Sequence, residues 1–301
     1  MGDSTIQPPA PASSRLAAQP TPPGGPTGWP PWTAPAALFG GLVLAAVGAL
    51  IVDIPALALG VKITSSHVPP GVEIADTVVQ DCAFVAVAVF FAQLGGRGVS
   101  AWQLGLRPTR LWRAVRLGAL TLFGFLLFSL IWVTAFHVGK EKLLETLGAE
   151  ESTLLLVLSA ALTCVVAPIC EEILFRGFIF SALRNWKGTW PAALITGLVF
   201  GAVHAGSAPA VDLVPLAALG VALCLLYRYT GSLYPCIAAH SLNNSLAFGS
   251  LESWGWWQIL VLMFASLGLI ALLAMALMRA GVISPATPSA PGAAFDISAG
   301  S

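Results

Sequence analysis

Apolar residues in this chain run in long, nearly unbroken stretches rather than in alternating or one-sided stripes. The stretches lie at about 36–59, 74–95, 113–136, 152–183, 190–206, 210–229, 233–250 and 255–279. A helix rising 1.5 Å per residue needs roughly 17 to 25 residues to cross a hydrocarbon layer about 30 Å thick. Backbone N–H and C=O groups must pair with each other in hydrocarbon, so each stretch predicts a helix. The fourth exceeds that length, which predicts a tilted helix or one that runs past the membrane. The seventh carries His240, Asn243, Asn244 and Ser245. Those groups are costly against lipid, so this helix is expected to be enclosed by its neighbours.

The flanks have another character. Residues 1–33 and 283–301 are rich in Pro, Ala, Ser and Gly with little periodic apolar content, and are expected to be disordered tails. The first also lacks the apolar stretch of a signal peptide. The predicted fold is therefore all-α: a polytopic membrane bundle of about eight transmembrane helices over residues 34–282, between two tails.

Composition supports a lipid-solvated chain. Hydrophobic residues make up 57% and charged residues 9%, with a mean hydropathy of +0.84. Soluble domains carry about 25% charged residues, and so few charges could not cover a water-soluble chain of this length. The formal net charge is zero and there is no basic tract, so no nucleic-acid partner is expected and the bilayer is the implied surroundings.

Threading eight helices from a cytoplasmic N-terminus puts Arg15, Arg97, Arg107, Arg110, Arg113, Arg116, Arg184, Lys187, Arg228 and Arg279 on the cytoplasmic side. The opposite side receives Lys62, Lys140 and Lys142, while Arg176 lies within the fourth span. This bias predicts that both termini are cytoplasmic. Trp102, Trp112, Trp186, Trp190, Trp254, Trp256 and Trp257 fall near span ends, where interfacial anchors belong. The five cysteines sit in apolar stretches without a CxxC pair and are expected to pack as small apolar residues. Asp53 and Asp81 are expected to be structural, and Asp212 to cap the sixth helix.

Ionisable residues in the spans call for a reason, because one at a helix centre costs about 2.5 to 3.5 kcal/mol on the insertion scale. The fourth span holds Glu171, Glu172 and Arg176. Glu172 and Arg176 share a helix face and can pair, while Glu171 points about 100° away and is left for chemistry. The alternative is a structural ion-pair clamp, which needs one Glu rather than two. The fifth span ends in Phe200 and His204, with Gly197 and Gly201 on one face for close helix approach. The seventh places His240 and Asn244 on one face.

Counting from the cytoplasmic ends, Glu171, His204, His240 and Asn244 lie about 11 to 21 Å deep, so one cavity can collect them. A Glu, two His and an Asn suit the activation of water against a carbonyl: Glu takes the proton, and His and Asn orient groups or donate to the oxyanion. The residue types Glu171, His204 and His240 also match the count of a His2Glu zinc site, although HExxH is absent. No organic cofactor is implied. A thiol mechanism through Cys170 lacks an adjacent His. A proton-coupled transporter lacks the internal repeat such folds carry.

The order EExxxR, FxxxH and HxxxN, each on its own membrane helix over about residues 150–250, resembles the CPBP family. That group contains the type II CAAX prenyl endopeptidases and the bacterial Abi and bacteriocin-processing or self-immunity proteins. The resemblance implies an intramembrane endopeptidase with Glu171 catalytic and Glu172 and Arg176 in support. It further implies Phe200 and His204 as the second motif, and His240 and Asn244 in an oxyanion or ligand role. The implied substrate is a membrane-associated peptide, or a prenylated protein where the host makes one, at the cytoplasmic membrane of a bacterium. A divalent metal such as Zn2+, held by Glu171, His204 and His240, is one form of this mechanism, and unaided glutamate catalysis the other. A non-catalytic binding or self-immunity protein built on the same cluster is the rival expectation.

Overall fold

The computed structural model describes residues 28–64, 68–94, 99–136, 147–149, 151–205 and 207–283. Among the described residues, eight helical rods follow the eight apolar stretches. They are α1 (Thr33–Ala58), α2 (Pro70–Gln93), α3 (Leu111–Phe136), α4 (Thr153–Lys187), α5 (Thr189–Val203), α6 (Leu213–Thr230), α7 (Tyr234–Leu251) and α8 (Trp256–Arg279). Among the described residues there is no β-strand. Six of the rods are long and apolar enough to cross a membrane: α1, α2, α3, α4, α6 and α8. Helix α5 is shorter than the predicted 190–206 span, because the chain leaves helical geometry at His204. Helix α7 is too polar by composition and, as its His and Asn content predicts, is largely enclosed.

The chain is laid out from outside to inside. Helix α3 buries no residue and α8 only Ser266, so both present their apolar side chains outward, as lipid-facing helices do. The dense centre is the second half of α4, where Leu174, Phe175, Arg176, Phe178 and Phe180 are all fully enclosed. Helices α1 and α2 pack as a hairpin on one side of it, and α5, α6 and α7 on the other. Most of the predicted tails, residues 1–27 and 284–301, lies outside the described residues. The stretch 28–33 departs from the tail reading: Trp29 is buried, stacks on Phe178 at 5.0 Å between ring centroids and donates to the Ala92 carbonyl at 3.1 Å. An aromatic ring that finds a core cavity gains more than the short lead-in loses in entropy.

Helix α4 begins on Ser152, whose hydroxyl accepts from Leu155 N–H. It is not a regular α-helix throughout. Two π-helical turns interrupt it, at Leu162–Val166 and Ile173–Phe180. The first abuts Pro168, which has no N–H to give the carbonyl of Cys164. In the same turn Ala167 N–H bonds to Leu162 O, one residue further back than usual, which releases the Thr163 carbonyl. The two freed carbonyls are the sites at which α7 docks.

Close approach is built by glycine where α5 meets α6. A Cβ on Gly197 would lie 2.7 Å from Ala217 O, and one on Gly201 would lie 2.5 Å from Leu213 O. A Cβ on Gly220 would lie 2.7 Å from the Cα of Gly197. The expected glycine face on the fifth helix therefore meets the backbone of α6 as well as the Val221 and Ala217 side chains. Asp212 does stand at the N-cap of α6, but its side chain makes no capping hydrogen bond. Its backbone is already αR there, which is not the extended conformation a capping side chain needs.

Candidate functional site

Helix period alone places Glu172 and Arg176 on one face of α4, and burial turns that into a tight pair. Arg176 Nη1 lies 2.6 Å from Glu172 Oε1, with both side chains fully enclosed. Arg176 Nη2 reaches the Gly220 carbonyl on α6 at 3.3 Å. Its guanidinium also lies over the Phe200 ring at 4.4 Å. A buried charge is tolerated only when paired and hydrogen-bonded, and residues of three helices supply these contacts, while Arg176 Nε and Glu172 Oε2 have no hydrogen-bond partner among the described residues.

The same Oε1 of Glu172 lies 2.9 Å from Nδ1 of His240, on α7. A carboxylate only accepts, so Nδ1 carries a proton, and in the neutral tautomer this leaves Nε2 a lone pair. That Nε2 faces Glu171 Oε2 at 3.8 Å. The separation is too long for a hydrogen bond and is of the span that one shared water would bridge. Glu171 Oε2 has no hydrogen-bond partner among the described residues. The two adjacent glutamates therefore bracket one imidazole, where helix period alone has Glu171 aimed elsewhere.

His204 stands at the C-cap of α5, and its Nδ1 donates to Phe200 O at 2.7 Å. Its Nε2 is the ring nitrogen left over by that bond, and the residue is half-buried. Phe200 ties the cluster together. Its ring lies 4.9 Å from the His204 ring, 5.7 Å from His240 and 5.1 Å from Phe175. The sequence marks Phe200 as a motif residue but not as the surface on which both imidazoles and the guanidinium rest.

Asn244 is placed differently from its partner in the motif. Its Nδ2 donates to the freed Thr163 carbonyl at 3.0 Å, and its Oδ1 accepts from Asn243 at 3.3 Å. Ser241, one helical turn before it, donates to the freed Cys164 carbonyl at 2.6 Å. So α7 is held by two side chains seated on the irregular turn of α4, and His240 is set between them and Glu172. Ser241, Thr163 and Pro168 are missed by motif reading. The signal for them is the proline inside an apolar span, which predicts unpaired carbonyls.

Asp81 on α2 is also more than its sequence suggests. It is 1% exposed, neither carboxyl oxygen has a partner among the described residues, and Glu171 is the charge that acts on it. Among the described residues no three His, Cys, Asp or Glu side chains converge in metal-holding geometry. Each imidazole commits Nδ1 to an internal bond and keeps Nε2, and His240 Nε2 lies 3.8 Å from Glu171 Oε2, but no third such side chain joins them among the described residues. As placed, Glu171, His204 and His240 do not form a ligand set. An apolar groove of 380 Å³ between α4 and α8, lined by Leu156, Val165, Trp254 and Trp257 among others, contains none of the motif residues.

This site is a polar cluster carried by three consecutive motifs inside a helical membrane bundle, and the segment that carries it is similar to known proteins. Residues 153–246, which carry the three motifs, match the family described as Rce1-like, type II CAAX prenyl endopeptidase. The chain is similar to the candidate membrane peptidase YdiL of Bacillus subtilis (strain 168), 32% identical over 115 residues, covering 36% of this chain and 43% of that protein. An uncharacterised 24.3 kDa protein of Escherichia coli is 28% identical over 127 residues, 39% of this chain and 58% of its own length. An uncharacterised protein of Mycoplasma capricolum is 29% identical over 93 residues, 31% of this chain and 27% of its own. The chain thus spans about half the length, or less, of these relatives. No solved structure matches it. With six spanning-length helices and this family segment, the chain is an integral membrane protein.

Proposed function

We propose that this protein is a membrane peptidase that hydrolyses a peptide bond in a membrane-associated peptide or protein, with Glu171 activating the attacking water. The observation that carries the reading is the uncommitted Glu171 Oε2 facing His240 Nε2 at 3.8 Å, while Glu172 fixes the other edge of the ring. The Rce1-like segment and the similarity to a candidate membrane peptidase support it.

In this mechanism a water held between Glu171 and His240 gives a proton to Glu171 as its oxygen attacks the carbonyl carbon. The negative charge that develops on the carbonyl oxygen is met by His204 with both ring nitrogens protonated, Nδ1–H to Phe200 O and Nε2–H to the oxyanion, and as the C–N bond breaks Glu171 passes its proton to the departing amine. Asn244 acts by seating α7 on α4, and Phe200 by orienting both rings. A Zn2+ ion, in the alternative form, would need the side chains of Glu171, His204 and His240 to close together and would supply an acidified water. The tally of basic residues favours a cytoplasmic location for both termini and for the nearer face of the site, and the relatives favour a bacterial cytoplasmic membrane.

The test is cleavage of a membrane-peptide library by the detergent-purified protein, read by mass spectrometry, with wild type beside Glu171→Gln. Fragments from wild type, reduced at least about a hundredfold in the variant, are expected. Undiminished cleavage by a folded Glu171→Gln protein would overturn the assignment.

A further inference from the structure

Three segments of the chain carry basic charge and no acidic residue. Residues 94–118, 183–190 and 226–234 contain seven Arg and one Lys and no Asp or Glu. Topology explains such residues when they are exposed to water and to lipid headgroups. It does not explain one that is buried. Arg107 is 6% exposed in the connection between α2 and α3. Its Nε donates to the Gly231 carbonyl at the end of α6, and its guanidinium lies 4.5 Å over the Trp102 ring. The Ser232 hydroxyl holds the Arg107 carbonyl at 2.6 Å, which locks the connection against the α6–α7 turn. Nη2 of this buried guanidinium has no partner among the described residues.

Two further guanidiniums share this corner. Arg184, near the end of α4, lies over the Phe180 ring at 5.7 Å. Phe180 in turn packs edge-on against Tyr227 at 6.2 Å. The Tyr227 hydroxyl abuts Gly105, where an added Cβ would lie 2.6 Å from it, two positions before Arg107. Arg228 follows Tyr227 directly, and Arg184 sits in the like-charge field of both Arg228 and Arg107. Among the described residues no carboxylate forms an ion pair with Arg107 or Arg228. Burial also disfavours the charged form of Arg107 and lowers its pKa, a cost that an anion in the corner would offset.

We propose that Arg107, Arg184 and Arg228 form a phosphate site at this membrane face, filled by the headgroup of an anionic phospholipid. Planar guanidiniums pair with phosphate oxygens through two parallel hydrogen bonds, and the orphaned Nη2 of Arg107 supplies one such donor. The neighbouring Trp112 and Trp186 are strongly exposed, as residues at headgroup depth are. The site is distinct from the Glu171 cluster and does not depend on its chemistry.

The test uses the full chain purified in detergent, with bound lipid read by native mass spectrometry and stability by thermal unfolding. Phosphatidylglycerol should be retained and should raise the midpoint more than phosphatidylcholine does. Arg184→Gln/Arg228→Gln should weaken phosphatidylglycerol binding by about tenfold or more. Arg110→Gln/Arg116→Gln, two exposed arginines with the same loss of charge, should leave it intact. If the first double variant does not fold, Arg228→Gln alone carries the comparison. Inorganic phosphate that displaces phosphatidylglycerol and reproduces the stabilisation would keep the site and assign it a soluble ligand. Equal effects of both lipids without any effect of phosphate would overturn the proposal, as would equal losses in the two double variants.

Discussion

Nδ1 of His240, on α7, lies 2.9 Å from Oε1 of Glu172, on α4, and the same oxygen lies 2.6 Å from Arg176 Nη1. One carboxylate oxygen thereby balances a buried cation and sets the tautomer of an imidazole whose other nitrogen faces Glu171. Stability and chemistry are joined at this atom, and substitution can separate them.

Arg176→Leu or Glu172→Leu alone leaves a buried charge unpaired and should cost about 3–5 kcal/mol, lowering the thermal midpoint sharply. The double replacement removes both charges and should recover most of that loss, since apolar residues of similar volume replace buried pairs at little cost. Cleavage should not recover, because His240 has lost the acceptor that orients it. Thermal unfolding and a cleavage assay on the three proteins check this. Recovery of both together would deny His240 its orienting partner.

Asn244→Ala removes the donor to the Thr163 carbonyl, whose intrahelical partner the π turn has already taken. A buried carbonyl left unpaired costs about 1–3 kcal/mol. Ser241→Ala should cost a similar amount at the Cys164 carbonyl. Each should lower turnover by moving His240, with little effect on substrate affinity. A kcat-against-KM comparison is the measurement, and a rise in KM at constant kcat would place Asn244 on the substrate instead.

Gly197→Ala forces a Cβ to within 2.7 Å of the Ala217 carbonyl and 2.8 Å of Val221 N, both of them backbone. Helices α5 and α6 must part, at about 1–3 kcal/mol. Because α5 also carries Phe200 and His204, activity should fall along with stability. Gly118→Ala, at a glycine with open space around it, should leave both unchanged.

Cleavage should survive 1,10-phenanthroline, because the side chains of Glu171, His204 and His240 do not converge as a ligand set. Elemental analysis of the purified protein gives an independent reading. Stoichiometric zinc that is lost from His204→Ala, together with activity restored by zinc after chelation, would instead support the metal-bearing form of the site.

The sequence by itself determined the number of helical rods, because each apolar stretch long enough for the membrane can satisfy its backbone only as a helix. It also determined the Glu172–Arg176 pair, which one helix period fixes locally, and the close approach at Gly197 and Gly201, which follows from absent side chains. Tertiary structure alone decided where the groups on different helices point. Periodicity pairs His240 with Asn244, yet His240 turns to Glu172 and Asn244 to Thr163 O, because Pro168 and the π turn free carbonyls that α7 then finds. Nor does sequence spacing show that Phe200 carries both imidazoles, that Asp81 lies in the electrostatic field of Glu171, or that Trp29 belongs to the core. Helix period and hydropathy are properties of one segment, while the orientation of a buried polar group depends on whichever unpaired donor or acceptor a neighbouring segment brings to it.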